Sequence, residues 1–168
     1  MKHKIYYIMG VSGSGKTTIG EMLSERLHIP FYDSDLFHPK ENIEKMSAGI
    51  PLNDEDRKPW LQAIHEFVLK SLPSGSLIIA TSALKQSYRD LLVGDLDPDQ
   101  VQWIFLHGSF ELLYERIANR KGHFMPESLL QSQFDTLEIP RAGVISIDVA
   151  HTPAEIIDEI MAHINSKN

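Results

Sequence analysis

Apolar and polar positions alternate in blocks along the chain, and the blocks switch between two periods. Lys4–Met9 is a short unbroken apolar run, which reads as a buried strand. It is followed by an amphipathic stretch from Lys16 to Leu27. Pro30–Asp33 predicts a short second strand, Pro39–Met46 a short helix, and Asp54 opens a longer helix running through Trp60, Ile64, Phe67 and Leu72. Leu77–Thr81, Val101–Leu106 and Val144–Ile147 predict three more strands. Helices are expected at Phe110–Arg120, from Pro126 onward, and at Pro153–Ile164. Thr152, with Pro153 at the first helical position and Glu155 at capping-box spacing, marks the start of the last helix. Continuous apolar strands separated by helices predict a parallel sheet covered on both faces, a three-layer α/β/α architecture with five strands. Ligands of such sheets gather at the carboxyl ends of the strands.

The bulk properties narrow the setting. With 168 residues and no linker or repeat, the chain is expected to form one domain over residues 1–168. No apolar run is long enough to span a bilayer, and the amino terminus reads as a strand rather than a secretory signal. No membrane partner is therefore expected, and the expected compartment is the cytoplasm. The absence of cysteine excludes disulfides, thiolate metal sites and cysteine nucleophiles. A formal charge of −7 argues against a nucleic-acid partner.

One segment carries decisive chemistry. Gly10-Val11-Ser12-Gly13-Ser14-Gly15-Lys16-Thr17 satisfies the Walker A pattern between a strand and a helix, the context that motif requires. Its glycines let backbone N–H groups approach phosphate oxygens, and the helix start favours negative charge. Lys16 is expected to reach the β- and γ-phosphates of ATP and to serve catalysis, and Thr17 to coordinate Mg²⁺. Ser12, Gly13, Ser14 and Thr18 complete the nucleotide-binding set. No guanine-reading Asn-Lys-x-Asp occurs, which argues against a GTPase.

The second strand ends in Asp33-Ser34-Asp35. Two carboxylates at this spacing can face the γ-phosphate together, one holding Mg²⁺ and the other accepting the proton of an attacking hydroxyl. Chemistry alone leaves their roles interchangeable. His38 follows the same strand end. Arg57 offers a guanidinium fork that suits a substrate carboxylate, or an ion pair with Asp54 at i,i+3 spacing. Lys85 follows the third strand, with Arg89 one helical turn on. Lys45 ends the short helix. Arg116 and Arg120 share a face, and Arg120-Lys121-Gly122-His123-Phe124 breaks the helix with a glycine, as a basic lid over the triphosphate would.

The runs Asp35-Leu36-Phe37-His38-Pro39, Asn42-Ile43-Glu44-Lys45-Met46, Gly49-Ile50-Pro51-Leu52-Asn53-Asp54, Arg57-Lys58-Pro59-Trp60-Leu61 and Ser82-Ala83-Leu84-Lys85 together resemble the gluconate kinases. Tyr88-Arg89-Asp90, Lys121–Phe124 and Leu129–Phe134 extend that resemblance over about residues 5 to 148. Two positions depart from the family pattern: Ser34 stands where glycine is usual, giving the Asp-Ser-Asp of shikimate kinases, and Thr81 stands where cysteine is common. The resemblance implies a P-loop NTPase fold of the nucleoside-monophosphate-kinase type, with a substrate-binding helical segment at about 39–72 and a lid at about 116–136. It implies Mg·ATP-dependent phosphorylation of gluconate, Asp35 as base, Asp33 nearer the metal, and a homodimer. His38, Lys45, Arg57, Lys85, Arg89 and His123 are the expected acceptor contacts, and Arg116 and Arg120 the expected nucleotide contacts, with Arg120 stabilising charge in transfer. Shikimate kinase, a nucleotide kinase and a non-catalytic nucleotide-dependent module are the competing expectations. His3, His28, His65, His107, His151 and His163 are read as structural or solvated.

Overall fold

The computed structural model describes residues 2–119, 127–140 and 143–166. Five strands form one parallel sheet: β1 (Ile5–Met9), β2 (Phe31–Asp33), β3 (Leu77–Ala80), β4 (Val101–His107) and β5 (Val144–Asp148), in the order β2-β3-β1-β4-β5. β1 is central, with Ile8 paired to Ala80 on one side and to Ile104 on the other. The helices between and after the strands are α1 (Lys16–Leu27), α2 (Lys40–Ser47), α3 (Asp54–Ser71), α4 (Gln86–Val93), α5 (Phe110–Ala118), α6 (Glu127–Thr136) and α7 (Pro153–Ser166).

The period-two geometry of the strands divides the core into two layers. Ile8, Ile78, Ile104 and Ile145 point to one face and pack with Ile19, Leu23, Leu113, Leu130 and Ile160 from α1, α5, α6 and α7. Tyr7, Met9, Ile79 and Phe105 point to the other and pack with Leu61, Ile64, Val68 and Leu92 from α3 and α4. Both faces are thus covered, which is why the strands read as unbroken apolar runs. Burying one such aliphatic side chain stabilises the fold by about 1.5–3 kcal/mol.

Local signals set the ends of the elements. Thr152 and Glu155 exchange hydrogen bonds at the start of α7, as the capping-box spacing predicts. A second capping box joins Asn53 and Asp56 at the start of α3. Between β3 and β4 lies α4, an eight-residue helix that carries Arg89. Its first residue is Gln86, so Lys85 is its N-cap, in extended conformation.

Candidate active site

Among the described residues, the groups of interest lie at the carboxyl ends of the parallel strands or on the helices that follow them. The loop from Gly10 to Gly15 joins β1 to α1 and turns through left-handed conformations at Gly13 and Gly15, φ 83° and 92°. A Cβ on Gly15 would meet nothing within 4 Å, so that side of the loop opens into free space, as a cradle for phosphate oxygens requires. Lys16 Nζ donates to the Gly10 and Val11 carbonyls at 2.9 and 3.1 Å, which places its ammonium over the loop. Ser14 is buried within the cradle, and Thr17 and Thr18 are exposed beside it.

The two carboxylates at the carboxyl end of β2 differ in placement. Asp33 Oδ1 accepts from the Asp35 backbone N–H at 2.9 Å, and Oδ2 accepts from the Thr17 hydroxyl at 3.4 Å. Asp33 and Thr17 therefore present hard oxygen ligands side by side at the mouth of the cradle, a donor set suited to Mg²⁺. Asp35 stands open to the cleft. The protein around the cleft floor and the negative charge of Asp33 hold its carboxyl above the usual carboxylate range, with His38 and Lys16 opposing them. Ser34 is buried; its carbonyl accepts from Trp60 Nε1 at 2.7 Å. The residue that distinguishes Asp-Ser-Asp from Asp-Gly-Asp is thus buried and lines none of the three cavities described below.

A cavity of about 550 Å³ adjoins Asp35 and includes His38, Arg57, Lys85, Tyr88 and Gln133 in its wall. The His38 ring stacks on Trp60, with centroids 4.3 Å apart. Burial keeps this imidazole below its ordinary pKa, although Asp35 pulls the other way. Ala83, at φ 42°, turns the chain after β3 and sets Lys85 against the cavity. Tyr88 lies between the two cations, its ring centroid 5.5 Å from both the Arg57 guanidinium and Lys85 Nζ. Arg57 Nη1 donates to the Tyr88 hydroxyl at 3.1 Å, and Tyr88 donates in turn to Asp54. Lys85 Nζ also reaches Asp54, at 3.2 Å, while Arg57 lies 3.9 Å from the same carboxylate. The bond from Tyr88, followed by that from Lys85, holds Asp54 below the usual carboxylate range. One carboxylate thus already sits against both cations, and the expected i,i+3 ion pair of Arg57 coexists with its place at the cavity.

A second cavity, of about 350 Å³, lies toward β5 and is walled by Gly13, Gly15, Thr18, Arg116 and His151 among others. Arg116, expected on the nucleotide side, stands in this wall beside Gly13 and Gly15. His151, read as structural or solvated, is exposed and also borders this cavity; no spacing signal links it to the phosphate loop far earlier in the chain.

Two expected acceptor contacts are corrected. Arg89 is buried, and its guanidinium donates to the backbone carbonyls of Leu84 and Glu138 at 3.3 and 2.6 Å. It borders a separate cavity with Trp103 and Ile139, so it ties α4 to the segment after α6 instead of facing the acceptor. Lys45 forms an ion pair with Asp56 at 2.9 Å, pinning α2 to α3, and does not line the acceptor cavity. Arg120 and His123 lie outside the described residues, as does most of the basic lid segment. Tyr88, Asp54 and Gln133 were not among the site residues expected from the sequence. Gln133 Oε1 accepts from the Ser12 N–H at 2.7 Å, and its Nε2 donates to Ser12 Oγ at 2.9 Å.

The arrangement can hold a triphosphate on the loop, an oxygen-bound cation beside it, and an anionic hydroxylated molecule within reach of Asp35. Comparison with known proteins agrees with that chemistry. Residues 12–165 match the family model described as shikimate kinase. The chain is 47% identical to a probable gluconokinase of Xenopus tropicalis, over 97% of this chain and 94% of that one. It is 45% identical to the thermoresistant gluconokinase of Escherichia coli K12, over 88% of this chain and 85% of that one. The crystal structure of a gluconokinase from Sinorhizobium meliloti 1021 superposes with a TM-score of 0.84 at 49% identity, covering 95% of this chain and 90% of that one.

Proposed function

The chain belongs to the shikimate kinase family and, within it, to the gluconokinases, and on that premise we propose that it transfers the γ-phosphoryl group of ATP to the terminal hydroxyl of D-gluconate. The products are 6-phosphogluconate and ADP. One observation carries the acceptor assignment: Asp35, Arg57 and Lys85 share a single cavity beside the phosphate loop. A base and a pair of cations in one wall suit a molecule with a hydroxyl at one end and a carboxylate at the other.

In this reading the acceptor hydroxyl gives its proton to Asp35 as its oxygen forms a bond to the γ-phosphorus. The bond from that phosphorus to the β-phosphate oxygen breaks in line, and its electron pair leaves with ADP. Lys16 and the N–H groups of the loop meet the charge on the transferring group; this positioning and neutralisation supply most of the rate. Thr17 and Asp33 would hold Mg²⁺, which when bound neutralises phosphate charge. The bond from Thr17 to Asp33 supports Asp33 on the metal side and Asp35 on the acceptor side. Arg57 and Lys85 orient the carboxylate, exchanging Asp54 for it, and Arg116 and His151 border the space for the nucleoside. Arg120 and His123 would complete the site from the lid.

The reading extends to one kinase domain across the chain, cytoplasmic and homodimeric as the resemblance implies; sedimentation tests the dimer. Among the described residues no helix is long and apolar enough to cross a membrane. Steady-state assays with ATP and gluconate, shikimate or nucleoside monophosphates test the substrate. Gluconate is expected to be turned over with the highest kcat/KM, and faster turnover of shikimate would overturn the proposal.

A further inference from the structure

Asn42, on α2, is 2% exposed although it is polar. Its Nδ2 donates to the Asp56 backbone carbonyl at 2.9 Å and lies 3.2 Å from His38 Nδ1. A carbonyl oxygen only accepts, so the Asp56 contact identifies the amide nitrogen and not the amide oxygen at that position. An amide nitrogen only donates, so its second proton is directed at His38 Nδ1, which must then carry a lone pair. The neutral ring consequently holds its proton on Nε2. Trp60 stacks flat on that ring at an interplanar angle of 12° and is itself fixed by its bond to the Ser34 carbonyl. The ring can neither flip nor tilt without losing one of these contacts.

His38 Nε2 lies 3.9 Å from Asp35 Oδ1, too far for a direct hydrogen bond, and both residues line the acceptor cavity. A hydroxyl placed between them accepts from Nε2–H and donates to the carboxylate. Its remaining lone pair is then free to face the phosphate. We propose that Asn42 is a positioning residue that locks His38 in the Nε2–H tautomer, so that His38 donates to the acceptor hydroxyl that Asp35 deprotonates. The role of the hydroxyl rests on the phosphotransfer reading above; the tautomer does not.

The test is long-range ¹H–¹⁵N spectroscopy of the uniformly labelled, ligand-free protein at a pH where His38 is neutral, its signals assigned by their loss in His38→Gln. The wild type is expected to show His38 protonated at Nε2 and bare at Nδ1. In Asn42→Asp the new carboxylate accepts from Nδ1–H, so the protonated nitrogen should reverse and kcat with gluconate should fall about tenfold or more, with the ATP KM within about twofold. Independently of Asn42, His38→Gln, which keeps a donor near the Nε2 position, should retain about tenfold more kcat than His38→Leu, the scale of one neutral hydrogen bond. A wild-type ring protonated at Nδ1 overturns the proposal, as does an unchanged tautomer in Asn42→Asp, or equal activity in the two His38 variants. The expected tautomer in a protein that does not phosphorylate gluconate would instead remove the acceptor assignment and leave the lock on His38 standing.

Discussion

Gln133 grips Ser12 at two points, accepting from its backbone N–H and donating to its hydroxyl. Gln133 also walls the acceptor cavity, so a single side chain of α6 spans the phosphate loop and the acceptor space. Gln133→Ala should loosen the loop and impair both substrates. Each hydrogen bond contributes about 0.5–1.5 kcal/mol, so the expected result is a fall of about tenfold in kcat/KM for ATP and a measurable fall for the acceptor. Ser12→Ala removes only the hydroxyl partner and should cost less. A loss confined to the acceptor in Gln133→Ala would contradict the bridging role.

Asp35 is the group on which proton removal depends. Asp35→Asn should still bind ATP, read by fluorescence titration with a labelled analogue, but lose at least about a hundredfold in kcat, the usual contribution of a positioned base. Near-normal turnover would exclude it from that role.

The same carboxyl sets an expected pH dependence. The protein around the cleft floor and the neighbouring Asp33 raise its pKa above the ordinary carboxylate value, and only the ionised form accepts a proton. Activity should therefore be present above that raised value and be lost as pH falls through it. The acid limb of kcat/KM for gluconate is expected above the position of an ordinary carboxylate; a limb at or below it would contradict the assignment.

Arg57 lines the acceptor cavity and bonds Tyr88. Arg57→Ala is expected to raise the gluconate KM about tenfold or more, as loss of a charge-assisted bond does, with the ATP KM little changed. An effect on the ATP KM alone would place Arg57 elsewhere.

Trp60→Phe keeps an aromatic face for His38 but leaves the buried Ser34 carbonyl without its donor. Loss of one partner of a buried bond costs about 1–3 kcal/mol, which urea denaturation would resolve. An unchanged unfolding midpoint would show that the bond adds nothing to stability.

Much of this site was legible because its determinants are local. The phosphate loop is one contiguous segment whose glycines and lysine have fixed spacing, and Asp33 ends β2 with Asp35 two residues on. Arg89 was misplaced for a geometric reason. A four-residue spacing from Lys85 suggests a shared helical face, but α4 begins at Gln86, and the extended Lys85 preceding it points elsewhere. Lys45 finds Asp56 across the turn between α2 and α3, and Tyr88 reaches Asp54 from another helix. His151 reaches its cavity only because β5 lies beside β4. Such pairings are products of tertiary packing and leave no periodic trace in the chain.

The strand order has a consequence for how this scaffold diversifies. β2 and β3 lie on one side of the central strand and β4 and β5 on the other. Apart from α6, the acceptor wall comes from the continuous stretch between Asp35 and Tyr88, while Arg116 and His151 come from beyond it. That stretch also carries α3 and β3, so a change of acceptor made by exchanging it between relatives is expected to bring its own part of the core along, while the residues proposed to hold the nucleotide stay as they are.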